Sequence, residues 1–446
     1  MVGEPQPNEI AMTNKPKKIG EIVGLRLISD NMIPFQHLMR CFTIAVLVFT
    51  ACNITAQGPI RDLRPTVVLI AVDGFRYDYF EKHQPSALNQ ISKEGVRAKW
   101  LIPSFPTKTF PNHYTVATGL YPQNHGIVEN NIWDFGVVFG MGKREEVENS
   151  RWWLGEPIWV TAEKQGQRAA AMFFPGTEAE IAGKRPTFWS PYEHEFPIDQ
   201  RVDKVLGWLD LPVKERPTVY TMYFSDIDSA GHRYGPYALE TRDAVRKVDE
   251  AIGRLVNGLK QRGIYGKANL IFFSDHGMAT VDVRRTAVLD EYFDFELTER
   301  ILWTGEIVQI FPKNGRTEEI AARLRNIKHA RCWKKEDIPA RLNYSTGLRV
   351  APIICSADEG AVLSSRQRLA ERQKRADYGS SSGAHGYDNA FESMRAMFIA
   401  HGKAFKKGKV VKPFPNVDVY ELMCRILKLK PAKNDGEMSR VKGMLR

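Results

Sequence analysis

Cysteine is scarce in this chain, with five in 446 residues. None forms a Cys-x-x-Cys pair, which excludes a disulfide-rich scaffold and a four-cysteine zinc module. No apolar run reaches the roughly 20 residues that a membrane-spanning helix needs. There is no internal repeat and no low-complexity tract, so solenoid and disordered architectures are set aside. A Cys/Ser-x-Pro-x-Arg sequence, the signature of sulfatases, is also missing. Acidic residues are outnumbered, 52 against 63 Lys and Arg, giving a net charge of +11. That excess suits anionic substrates or surfaces without implying nucleic-acid binding. What is present is 43% hydrophobic and 26% charged residues, the balance of a sizeable globular enzyme.

Near the N-terminus, Arg40 precedes a short apolar core from Cys41 to Ala51, then small residues with Ile54 and Ala56 at the −3 and −1 positions before Gln57. This is the layout of a secretory signal peptide, and it predicts export, to the periplasm or the medium. Lipoprotein processing at Cys52 is disfavoured by Phe49. The mature chain then has no transmembrane domain and keeps Cys332, Cys355 and Cys424, of which at most one pair can bridge. We divide the chain into residues 1–56 (extension and signal), 57–292 (first part of the core), 293–376 (inserted subdomain) and 377–446 (second part of the core).

Three segments repeat one pattern. Residues 66–72 are a continuous, largely β-branched apolar run followed by Asp73-Gly74. Residues 219–225 repeat it before Asp226, Asp228 and His232, and residues 269–274 before Asp275-His276-Gly277. Runs of this kind read as buried parallel strands. Between the last two, Val245, Val248, Ile252, Leu255, Val256 and Leu259 recur at helical spacing from Ala244 to a stop at Gly263. Alternating strands and helices predict an α/β/α sandwich around a largely parallel sheet, with sites beyond the carboxyl ends of the strands. The basic run Arg366, Arg368, Arg372, Lys374, Arg375 reads as a solvated face.

A single Asp after a strand is commonly a turn residue or a cap, and Asp73 alone carries little weight. Asp228 and His232 both have metal-ligand chemistry, and Gly231 between them permits a tight return of the chain. Asp275 and His276 stand side by side, and His385 lies among glycines. Three Asp and three His form a suitable inventory for two zinc ions with three protein ligands each. Pro111 marks the first turn of a helix running to Thr118 and stopping at Gly119. Thr109 then stands at a helix N-terminus, where backbone N–H groups favour an anion, unless it is simply an N-cap.

These segments together resemble the nucleotide pyrophosphatase/phosphodiesterase family of the alkaline phosphatase superfamily. The matching stretches are VDGFRYDY (72–79), PTKTFPNHYTVATGLYPQNHGIVEN (106–130), DSAGHRYGP (228–236), SDHGM (274–278), ADEG (357–360) and AHGYDN (384–389). The resemblance implies an alkaline-phosphatase-like fold and two zinc ions, one on Asp228, His232 and His385 and the other on Asp73, Asp275 and His276. It implies Thr109 as the nucleophile, itself beside the second ion, and Asn130 as a contact to a non-bridging phosphate oxygen. Phe110 and Tyr192 match aromatics that sandwich a base, and His113 and His125 are expected to be structural. The implied substrates are nucleotides such as ATP, NAD, dinucleotides or nucleotide sugars, with no stable nucleic-acid complex and an unspecified oligomeric state. A phospholipid-headgroup phosphodiesterase would share every metal ligand. An exported, non-catalytic nucleotide- or zinc-binding protein is the reading of another class.

Overall fold

Val67–Val72 is a run of six side chains with no solvent exposure, and it forms the centre of an eight-stranded sheet. The structure is a computed structural model describing residues 58–380 and 382–446. The segment expected to be a signal peptide lies outside the described residues. Across the sheet the strands are ordered Lys409–Val411, Val96–Ala98, Phe398–His401, Asn269–Phe273, Val67–Val72, Val219–Phe224, Ala169–Met172, Phe188–Ser190. Phe398–His401 runs antiparallel to both neighbours, and the remaining pairings are parallel. This is the largely parallel α/β architecture that the three apolar runs predict, because strands buried on both faces need no polar alternation.

Register decides where the chemistry goes. Val72 pairs with Phe224, and Ala71 pairs with Phe273. The three central strands therefore end level, and the residues that follow them emerge on one edge. Gly74 has φ +69°, and a Cβ there would lie 2.9 Å from the Cα of Asp228. Backbone just after the first of these strands thus meets the helix that follows the second at a point only glycine allows.

The long helix spans Leu239–Gln261 and buries the six periodic residues. It starts five residues before the predicted Ala244, because its first turn is mostly polar or exposed and leaves no apolar period to read. Asp228 and His232 do not sit on a tight return. They occupy positions i and i+4 of the helix Asp226–Tyr234 and so share one of its faces. Gly231 instead lets Met278 lie against that helix, since a Cβ would fall 2.9 Å from Met278 Cε.

A second sheet, four-stranded and antiparallel, is ordered Thr298–Trp303, Ile307–Pro312, Ile353–Ala357, Ala330–Lys334. Its core includes Val308, Ile310, Ile353 and Leu324. Cys332 and Cys355 stand directly opposite in register and form a disulfide, a pairing that spacing left open. Arg366, Arg368 and Arg372 of the basic run lie on the helix Arg366–Gln373, which has no buried residue, and Lys374 caps its end.

Candidate metal centre

Six side chains of the three strand ends and one glycine loop converge. Asp73 follows the central strand, and Asp275 and His276 follow its neighbour on one side. Asp228 and His232 come from the helix after its neighbour on the other. His385 follows Gly383–Ala384, a two-residue strand held antiparallel to Ala279–Thr280. His276 Nε2 lies 3.3 Å from Asp73 Oδ1 and 3.0 Å from Asp275 Oδ2. Asp228 Oδ1 lies 3.5 Å from His232 Nε2 and 3.6 Å from His385 Nε2.

The donor set has one property that fits a cation. Each histidine places Nδ1 against a backbone carbonyl: His276 on Gly277 O (2.9 Å), His385 on Thr107 O (2.8 Å) and His232 on Gly383 O (3.0 Å). A carbonyl can only accept, so Nδ1 carries the hydrogen and Nε2 of the neutral ring presents a lone pair. On the carboxylates, Asp73 Oδ2 accepts from the Tyr223 hydroxyl at 2.6 Å, and Asp275 Oδ1 from Gly74 N–H at 3.3 Å. Asp73 Oδ1, Asp275 Oδ2 and Asp228 Oδ1 are buried with no hydrogen-bond partner. Those orphaned oxygens are the ones facing the Nε2 atoms. Lone pairs facing lone pairs in a buried space are destabilising unless a positive ion sits among them.

The protonation balance carries the same tension. Burial, with Asp275 and Asp228 close by, pushes the Asp73 carboxyl well above its ordinary range. Burial acts on Asp275 in the same sense, but His276 and His113 overcome it and hold Asp275 well below the ordinary range. Burial, then His276, His232 and Lys108, push His385 well down.

Two triples have ligand atoms mutually within 4.8 Å: Asp73, Asp275 and His276, and Asp228, His276 and His385. The first is one of the two expected ligand sets. In the second His276 closes the group, while His232 approaches Asp228 with a side chain 42% exposed.

Thr109 is the first residue of the helix Thr109–Thr118, and Lys108, not Thr109, is its N-cap. The Thr109 hydroxyl lies 3.4 Å from His276 Nε2, at the metal triple. Asn130 Oδ1 accepts from Phe110 N–H at 3.0 Å, which commits the carbonyl end and leaves the NH2 as the donor end of the amide. Phe110 follows Thr109 and packs on Phe139 and Trp153, with centroids 5.8 and 6.0 Å away. Tyr192 is 40% exposed, and its ring lies 5.9 Å from that of Tyr223, the residue that holds Asp73.

Three residues at the site, Tyr223, Lys108 and Glu129, escaped the sequence reading, and His113, expected to be structural, lies against the cluster. Tyr223 lies inside a strand run, where its hydroxyl gives no signal. His113 Nδ1 lies 3.3 Å from Asp275 Oδ2, so this buried ring touches the cluster. Lys108 and Glu129 are adjacent in sequence to Thr109 and Asn130, yet both are buried. A charged residue beside a candidate site residue inside an apolar stretch was the available signal.

The fold and site define an α/β protein with a candidate carboxylate–imidazole metal site beside a helix-borne threonine, at the carboxyl edge of its sheet. Residues 67–388 match the family described as type I phosphodiesterase / nucleotide pyrophosphatase, and the chain belongs to that family. It is 37% identical over 393 residues to a venom phosphodiesterase of Crotalus durissus collilineatus, covering 85% of this chain and 46% of that protein. It is 37% identical over 400 residues to ectonucleotide pyrophosphatase/phosphodiesterase family member 3 of Rattus norvegicus, covering 86% and 44%. The chain spans about half the length of the curated relatives it matches. Among solved structures, murine ectonucleotide pyrophosphatase/phosphodiesterase 5 superposes with a TM-score of 0.79 at 32% identity, covering 85% of this chain and 100% of that one. That structure is of an inactive threonine-to-alanine variant in complex with AMP.

Proposed function

We propose that the protein is an exported hydrolase of nucleotide phosphodiester and pyrophosphate bonds. It would act through two zinc ions and a phospho-threonine at Thr109, releasing nucleoside 5′-monophosphates. The observation that carries this reading is the Thr109 hydroxyl 3.4 Å from His276 Nε2, at the edge of three carboxylates with orphaned oxygens. Nitrogen and carboxylate donors with no thiolate suit zinc. When bound, zinc supplies positive charge that lowers the pKa of a hydroxyl and neutralises phosphate oxygens.

Thr109 Oγ1 gives up its proton to solvent and attacks phosphorus in line with the leaving oxygen; the Thr109 Oγ–P bond forms as the bond to the leaving group breaks, and the leaving oxygen departs with that electron pair. Water then cleaves the phospho-threonine from the same side as the departed group, giving net retention. The Asn130 NH2 and the Thr109 N–H at the helix N-terminus donate to the equatorial oxygens, since Phe110 N–H is already bound by Asn130 Oδ1 and Pro111 has no N–H. Phe110 and Tyr192 hold the base by stacking, worth about 1–3 kcal/mol and tolerant of base identity. ATP, NAD, dinucleotides and nucleotide sugars share the required anionic ester, and the chain's net positive charge favours them as a class. Export is supported by the Cys332–Cys355 disulfide, which persists in oxidising compartments. No helix among the described residues is long and apolar enough to cross a membrane.

The test is turnover of p-nitrophenyl thymidine 5′-monophosphate, p-nitrophenyl phosphate and p-nitrophenyl phosphorylcholine, with zinc-loaded and EDTA-treated protein. Zinc-dependent preference for the nucleotide diester is expected. Preference for phosphorylcholine would move the protein to headgroup hydrolysis, and zinc binding without turnover of any would make it a binding protein.

A further inference from the structure

Beside the nucleophile lie three buried charges that the proposed reaction does not use. Lys108 is 4% exposed, Glu129 0% and Glu306 8%. Lys108 Nζ donates to Glu306 Oε2 at 2.5 Å, to His385 O at 3.0 Å and to Thr304 O at 3.2 Å. One side chain therefore ties the residue before Thr109 to the backbone of a metal-centre histidine and to the turn at residues 304–306 of the second sheet. Glu129 Oε2 accepts the backbone N–H of Asn130 and, at 3.2 Å, that of Asn131. The Thr304 hydroxyl lies between Glu129 Oε1 (3.0 Å) and Ile307 O (2.9 Å). Asn130 in turn holds Phe110 N–H, in the first turn of the nucleophile's helix.

The contacts close a ring: Thr304 to Glu129, Glu129 to Asn130, Asn130 to Phe110, and Lys108 back to the 304–306 turn. Burying three charges is costly and is not needed to pack this fold, since apolar side chains of similar volume usually serve stability as well. What such a network provides is geometry. Lys108 Nζ and both carboxylate oxygens of Glu129 are held by partners within the ring, so moving the nucleophile's helix or the Asn130 backbone breaks a bond to one of these charged groups.

We infer that the 304–306 turn of the second sheet, acting through Lys108, Glu129 and Glu306, is the positioning device that sets the Thr109 hydroxyl and the Asn130 amide relative to one another. Thr304 and Glu306 touch neither the metal ligands' side chains nor the phosphoryl position. They act on rate through alignment, and alignment lost by about an ångström can cost on the order of 100-fold. This rests on the proposed hydrolase activity.

The experiment compares Thr304→Val, Thr304→Ser and Glu306→Gln with the wild type, zinc-loaded, on p-nitrophenyl thymidine 5′-monophosphate. It reads kcat and KM separately, with bound zinc per chain and the melting temperature. Thr304→Val is expected to lower kcat several-fold and Glu306→Gln about 10- to 100-fold, with KM within about two-fold and zinc content unchanged. Thr304→Ser, which keeps the hydroxyl, is expected to restore the wild-type rate. Should Glu306→Gln fail to fold, the Val and Ser pair at Thr304 still decides the matter. An unaltered kcat in Thr304→Val, a rate loss that tracks lost zinc, or a Ser variant as slow as the Val variant overturns the inference while leaving the hydrolase reading intact. A wild type that turns over no phosphodiester overturns both.

Discussion

His276 and His385 stack face to face, with ring centroids 3.5 Å apart and planes 10° from parallel. Each fixes its Nδ1 hydrogen on a backbone carbonyl, so the two Nε2 lone pairs reach the cluster side by side. Two imidazoles this close cannot both be protonated without strong repulsion. With both Nδ1 hydrogens committed, the stack turns its two Nε2 atoms toward both groups of carboxylates, and it joins His276 at the strand end to His385 on the glycine loop.

Tyr223→Phe removes the donor to Asp73 Oδ2 and leaves the whole carboxylate without a protein hydrogen bond. Loss of such an outer partner typically weakens metal binding by about 10- to 100-fold. A zinc titration followed by the rise in melting temperature should show saturation at correspondingly higher zinc in the variant. Superimposable titrations would mean the hydroxyl does not orient the ligand.

Thr109→Ala should abolish turnover while zinc content stays near the wild-type value. The threonine is at the edge of the donor set, whereas the buried carboxylates and imidazoles supply its ligand atoms. Wild-type rates in this variant would remove Thr109 as nucleophile, and loss of zinc along with activity would make it a ligand first.

His125 gives the chain a pH dependence unrelated to catalysis. Burial pushes its imidazole down to about 3. Its Nδ1 accepts from Ile127 N–H at 3.2 Å, and its Nε2 lies 3.0 Å from Thr115 Oγ1. In the unfolded chain the same group titrates near 6.5. Between those values the unfolded state binds a proton the folded state does not, so stability falls as pH drops. From pH 7 to pH 5 this group should remove about 2 kcal/mol. Urea unfolding of the zinc-loaded wild type and of His125→Gln across that interval should show the shallower slope in the variant. Equal slopes would assign the pH dependence to other groups.

Much of the site is legible because each part is announced locally. A run such as Val67–Val72 can only be a doubly buried strand, and an acid directly after it must emerge at the strand's end. The same reasoning places Asp275 and His276. It misplaces Asp228 and His232 on a return, since glycine between two ligands suits a turn as well as a helix packed against Met278. The Leu239 start of the long helix is hidden because a mostly polar or exposed first turn has no periodicity. Tyr223 is hidden because a strand tyrosine is ordinary until its partner is known.

Sequence by itself marked candidate ligand residues and the buried strands that Asp73, Asp275 and His276 follow, because burial and turn-forming tendency are properties of neighbouring residues. Tertiary structure alone decided the parallel register that ends three strands level, the pairing of Cys332 with Cys355, and the stacking of His276 on His385. It also decided that Lys108, beside Thr109, is bound to a turn nearly 200 residues away. Those relationships depend on contacts between distant segments, and local spacing holds no information about which distant partner will be met.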